Sequence, residues 1–146
     1  MSQSQFEREL IKMNLTKIQQ FFLKDRFAEH VGIELVDAAP GRATARLEIQ
    51  DYHLNAVGLV HGAAIFALAD LVFAVASNAH GTVALGINVS IAYLSGTRGP
   101  LLVAEAEEVS RNPKLATYII RIRDKSETLI ALFQGTVYRK RDPLEP

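Results

Sequence analysis

The stretch "VHGAAIFALADLVFAVASNAHG", residues 60 to 81, is apolar almost throughout, yet it carries Asp70 in its middle. Taking an ionised carboxylate out of water costs several kcal/mol unless it is paired or hydrogen-bonded, so stability gives no reason to keep one there. Apolar surroundings also raise a carboxyl pKa, which makes it a better base than a carboxylate in water. A structural Asp70 satisfied by backbone donors is the weaker reading, because the middle of a helix offers few free donors. With no cysteine, the chain has no thiolate nucleophile, disulfide or cysteine-based zinc site. His30, His53 and His80 show no metal-ligand spacing with carboxylates and read as surface or loop residues, so no metal is expected.

The helix bearing Asp70 starts around Val60 to Gly62 and ends near Asn78, where Ala79-His80-Gly81 supplies a glycine for a left-handed terminal residue. Being apolar nearly all round, it must be covered on most sides. Before it, Phe6, Leu10, Ile11, Ile18, Phe21 and Phe22 form an imperfect helical stripe over residues 5 to about 29, which predicts an outer helix. "IELVDAA" and "RATARLEI" read as strands around Pro40-Gly41, and "QDYHLNAVGLV" as a loop leading to the central helix.

Four more strands follow: "TVALGINVSIAYL", "LLVAEAEEVSR", "LATYIIRIRD" and "LIALFQGTVYRK". Their connections, "SGTRGP", "NPK" and "KSE", are short enough for antiparallel hairpins. In the first of the four, Val83, Leu85, Ile87, Val89, Ile91 and Tyr93 alternate with Ala84, Gly86, Asn88, Ser90 and Ala92. The large face is expected to cover the helix, and the small face to let another surface or an extended ligand come close. The pattern as a whole predicts an α+β protein, with an antiparallel sheet curled around one central apolar helix.

"NAVGLVHG", followed eight residues after its last glycine by Asp70 in "FALAD", closely resembles the PaaI-type branch of the hotdog-fold acyl-CoA thioesterases. The resemblance extends to "ALFQGTVYRK" and covers roughly residues 30 to 140. It implies a single hotdog thioesterase domain over 1–146, with a helical segment over 1–30 and the hotdog core over 31–141. It also implies thioester hydrolysis, with Asp70 activating water or attacking the carbonyl, and the Gly62 N–H donating to the thioester oxygen. Asn55 and His61 complete the implied site.

Physical chemistry fits these roles, since a helix N-terminus presents free N–H donors and a positive dipole end to a developing oxyanion. Each residue also has a plainer reading: Asn55 as a turn residue, His61 as the start of the helix, and Gly62 as a small residue for close packing. Where some relatives carry a Ser or Thr on the third strand to hold the attacking water, this chain aligns Gly86, with Thr82 and Asn88 as the nearest polar residues. Arg111 and Lys114 around "NPK" are the candidates for the coenzyme's phosphates, with Arg139, Lys140 and Arg141 as further cations.

With 146 residues, about half of them apolar, the chain suits one domain with a substantial core. Lys plus Arg balances Asp plus Glu at 16 each, so no overall field recruits nucleic acid or an anionic membrane. The charged N-terminus and the short Ala63–Ala76 run predict a soluble cytoplasmic protein with no membrane partner. No cofactor is expected apart from coenzyme A as part of the substrate.

Gly62 and Asp70 lie eight residues apart on one helix. That spacing is about 12 Å along the axis, too far for both to reach one carbonyl. A homodimer with composite active sites, abutting along the third strands, answers this, and PaaI-type relatives pair further into homotetramers. The expected activity is hydrolysis of a medium-sized acyl-CoA, aromatic acyl groups included. The alternatives are a hotdog hydratase acting on an enoyl or hydroxyacyl thioester, and a non-catalytic acyl-CoA binding module.

Overall fold

The computed structural model describes residues 1–6 and 16–145. Leu10 and Ile11 of the expected N-terminal stripe lie outside those residues. From Thr16 onward that stripe forms two helices where the periodicity predicts one: α1 (Lys17–Phe22) and α2 (Arg26–Val31). Thr16 and Gln19 open α1 with a reciprocal capping box. The break comes at Asp25, whose carboxylate accepts the Ala28 N–H at 2.9 Å and caps a new helix. An Asp that bonds to the backbone in this way competes with continuation of the preceding helix.

Six antiparallel strands form one sheet: β1 (Glu34–Ala39), β2 (Arg42–Glu48), β3 (Thr82–Tyr93), β4 (Leu101–Arg111), β5 (Leu115–Asp124) and β6 (Leu129–Pro143). Their spatial order is β1-β2-β4-β5-β6-β3. "NPK" and "KSE" thus make hairpins as expected, but "SGTRGP" does not. It carries the chain from the β3 edge to an interior strand, because β4 pairs with β2 and β3 pairs with β6. Three strand spacings, about 14 Å in a flat sheet, are within reach of six extended residues. The crossing is pinned where Thr97 accepts the Val60 N–H and Pro100 accepts the Ile49 N–H, each at 2.8 Å.

The inner face of the sheet explains why it wraps a helix. On β2 and β4 the inward residues include Ala43, Ala45, Ala104 and Ala106, small enough for the helix to lie close. On β5 and β6, Tyr118, Ile120, Ile122 and Phe133 fill the space on its other flank. Against them packs α3 (Gly62–Asn78), with Leu68, Ala69, Val72, Val75 and Ala76 fully buried. The far end of α3 is fastened by Asn78, whose side chain donates to Ala84 O at 3.1 Å and accepts the Ala84 N–H at 3.0 Å. Gly81 follows at φ +98°, in the left-handed region that favours glycine. Ala63, Phe66, Asp70 and Ala74, at helical spacing, form a stripe that is not fully covered.

The expected division of β3 into a large inner face and a small outer one holds for only part of the strand. A bulge between Gly86 and Asn88 shifts its register with β6. Before the bulge the small residues face the helix: Ala84 is buried, and a Cβ on Gly86 would stand 2.9 Å from the Phe73 ring. After it Val89, Ile91 and Tyr93 pair with the inward residues Gly135, Phe133 and Ala131, while Leu85 and Ile87 stay outside, more than half exposed. One extra residue in a strand exchanges the faces of everything beyond it.

Candidate functional site

The loop before α3 is built as a narrow ladder. Its rungs are His61 N–H to His53 O at 2.7 Å, the Leu54–Val60 bridge, and Asn55 N–H to Leu59 O at 2.7 Å. Asn55 closes the ladder, its Oδ1 accepting from the N–H groups of Val57 at 3.0 Å and Leu59 at 3.1 Å. This is the turn role its residue type suggests, and it consumes only the acceptor half of the amide. Among the described residues no acceptor meets Asn55 Nδ2, so this half-buried amide keeps its donors available beside the helix entrance.

His61 is the N-cap of α3, its Nδ1 accepting the Ala63 N–H at 2.9 Å. Its carbonyl accepts from Ala64 at 3.0 Å and from Ile65 at 3.2 Å. Of the first-turn amides, Gly62 N–H alone has no acceptor among the described residues. A free N–H at a helix N-terminus can stabilise a developing negative charge. A slot of about 300 Å³ opens beside it, lined by Phe27, His30, Val31, Tyr52, His53, His61, Ala63 and Ala64.

Asp70 is the largest correction to the reading of α3: in the chain by itself it is exposed, not buried. It stands on the incompletely covered stripe of the helix, flanked by Phe66 and Ala74. Desolvation by the surrounding protein nevertheless raises its carboxyl above the ordinary range, and the charge of Asp25 adds to the effect. Asp25 also lines a groove of about 660 Å³ between the N-terminal helices and α3, whose wall includes Leu71, the residue after Asp70.

Beside Gly86 on the third strand, where some relatives carry a hydroxyl, a ring stands instead. Phe73 occupies the space that Gly86 and Gly135 leave free, and a Cβ on Gly135 would lie 2.7 Å from it. Asn88 is exposed on the outer face, opposite Thr136. Arg111 lies at the other end of α3 from Gly62, its Nη1 at 2.8 Å from His80 Nδ1 and its Nε at 3.7 Å from Glu108. The Lys114 side chain is exposed at the neighbouring turn, with no ion-pair partner among the described residues.

Sequence reading missed two features. Tyr93 donates from its hydroxyl to Gly62 O at 3.0 Å, a contact between residues 31 positions apart that no local pattern signals. Glu108 accepts from Tyr118 at 2.6 Å and from His80 at 2.8 Å at the far end of α3. Burial opposes ionisation of Glu108, but those hydrogen bonds and the charges of His80 and Arg111 outweigh it and hold its carboxyl below the ordinary range. Burial and the bond to Glu108 push the Tyr118 hydroxyl up. His80 is therefore not a plain surface residue. Nor is His53, which is 4% exposed, accepts the Gln50 N–H at its Nδ1 and donates from Nε2 to Val31 O at 2.7 Å.

No group of three or more metal-ligating side chains occurs among the described residues, and no helix there is long and apolar enough to cross a membrane. The thioesterase superfamily model matches residues 57–131, just over half of the chain, and spans the free amide, Asp70 and most of the sheet. A protein of Archaeoglobus fulgidus is 40% identical over 132 residues, which are 89% of this chain and 86% of that one. The acyl-coenzyme A thioesterase PaaI of Escherichia coli is 30% identical over 116 residues, 79% of this chain and 83% of the relative. The solved E. coli PaaI structure superposes with a TM-score of 0.83 at 26% identity, covering 86% of this chain and 92% of that one. With the hotdog arrangement of sheet and helix and the motif around Gly62 and Asp70, these likenesses place the chain in the thioesterase superfamily, in its PaaI-type branch.

Proposed function

We propose that this protein hydrolyses an acyl-CoA thioester to the free acid and coenzyme A, at a site that Gly62 of one chain and Asp70 of a second copy build together. The observation that carries the reading is the Gly62 N–H, the one first-turn amide of α3 without an acceptor among the described residues. The thioester oxygen takes that hydrogen bond, and Asp70 acts on the carbonyl carbon. As base, its carboxylate takes a proton from water while the water oxygen bonds to the carbon and the C=O electron pair moves onto oxygen. Collapse of the tetrahedral intermediate restores C=O and breaks the C–S bond, and the Asp70 proton passes to the departing thiolate. As nucleophile, Asp70 would bond to the carbon itself, expel the thiolate and form an anhydride that water then opens. Asn55 Nδ2 and His61 complete the polar rim.

The acyl group is proposed as medium-sized, aromatic groups included, because the slot beside Gly62 carries the exposed rings of Phe27 and Tyr52. Asn88, Arg111 and Lys114 remain proposed contacts for the coenzyme. Lys114 is the freer of the two cations, since Arg111 is engaged with His80 and Glu108. A homodimer, pairing further into a homotetramer, is proposed on the same ground as the shared site. A thiol-release assay on a panel of short-chain, medium-chain and aryl acyl-CoA thioesters tests the reaction. Hydrolysis by the wild type, with turnover at least about 100-fold lower in Asp70→Asn, is the expected result. Hydration of an enoyl thioester without thiol release would favour a hydratase, and binding without reaction a sensor.

A further inference from the structure

We propose that Tyr93 is a positioning residue for the Gly62 donor, holding the first turn of α3 in place through its hydroxyl. The inference rests on the reading of Gly62 as the oxyanion donor. As the first residue of the helix, Gly62 has no intrahelical bond at its N–H and no side chain to anchor it. Helix ends with so few restraints fray. A donor useful to a transition state must instead be fixed before the charge develops.

Tyr93 supplies two restraints from the end of β3. Its hydroxyl donates to Gly62 O at 3.0 Å, and its ring lies so close that a Cβ on Gly62 would stand 3.1 Å from both Cζ and the hydroxyl oxygen. The absence of a side chain at position 62 is thus explained by Tyr93 as well as by the approach of a ligand. Gly62→Ala would disturb the tyrosine, so it is an ambiguous test of ligand approach alone. The bulge in β3 makes the contact available, because it turns Val89, Ile91 and Tyr93 towards the helix side of the sheet. Tyr93 remains 52% exposed, which places it at the rim of the site and not in the core.

The test is Tyr93→Phe in the full-length protein, which keeps the ring against Gly62 and removes only the hydroxyl. Two readouts are taken: steady-state kinetics on a thioester that the wild type hydrolyses, and amide hydrogen exchange at Phe66, whose N–H faces Gly62 O in the helical ladder. The expected result is a kcat lower by roughly 10-fold with KM changed less than about 2-fold, because an N–H held loosely fails the transition state more than the ground state. Exchange at Phe66 should quicken while core amides such as Val72 keep their protection. Wild-type kcat with unchanged exchange at Phe66 would overturn the proposal. So would a loss of kcat that disappears well below the variant's Tm, since that loss belongs to stability alone. If the wild type itself releases no thiol from any thioester in the panel, the reading of the activity fails, and Phe66 exchange still decides whether Tyr93 holds the turn.

Discussion

At the scale of single residues, the proposed reaction and the stability ask opposite things of Asp70. Neighbouring protein and the charge of Asp25 make its carboxylate costly, and both raise its pKa above 3.8. A carboxyl raised in this way binds its proton more tightly folded than unfolded. Stability therefore falls as pH rises from the ordinary carboxylate value to the raised one, and stays lower above it. Asp70→Asn, nearly isosteric and uncharged, should raise Tm at pH 7 by roughly 1–3 °C, a gain that shrinks as pH drops towards 3.8. Calorimetry across pH checks this against the turnover, which should collapse in the same variant. A variant that loses activity and Tm together would make Asp70 a structural residue.

At the scale of elements, the two ends of α3 are held by different means. The entrance depends on the His61 cap and the Tyr93 hydroxyl, while the exit is tied to β4 and β5 through His80, Glu108, Arg111 and Tyr118. Glu108 is ionised below its ordinary pKa of 4.5, so its stabilisation is complete above that value and is lost as pH falls through the lowered one. Glu108→Gln should cost about 1–2 kcal/mol at pH 7, since charge-assisted bonds become neutral ones and the buried Tyr118 hydroxyl keeps a weaker partner. Denaturant midpoints at pH 7 and pH 3.5 check it, the difference from wild type narrowing at the lower pH. Because Glu108 lies at the end of α3 far from Gly62, kcat should change little in the folded variant.

At the scale of the molecule, the proposed site joins Gly62 of one copy to Asp70 of a second, because the two lie eight residues apart on one helix. The incompletely covered stripe of α3 and the exposed Leu85 and Ile87 on edge strand β3 offer that copy a surface. The prediction uses two variants inactive by themselves, Asp70→Asn and Asn55→Ala. After random subunit exchange about half of the dimers are mixed, each with one doubly altered and one intact site, so activity should return to roughly a quarter of wild type. Verified mixed dimers without activity would confine each site to one chain.

The sequence by itself determined the first five strands and the central helix to within a residue or two, because apolar periodicity and turn residues act locally. It also marked Asp70, since a charge in an apolar run is visible without a fold, and the resemblance of "NAVGLVHG" to the family marked the loop from Asn55 to Gly62. Tertiary structure decided what depends on distant partners. The β3 bulge turned half a strand over, and the register with β6 is what reveals it. β4 took its place beside β2 and not β3, although the connection from β3 is short enough for a hairpin. Asp70 emerged on a stripe of α3 that the sheet leaves incompletely covered, which the composition of the helix conceals. Tyr93 met Gly62 across 31 residues of chain. Local patterns report the faces a segment prefers, whereas the surface each face meets follows from long-range pairing and packing of the whole chain.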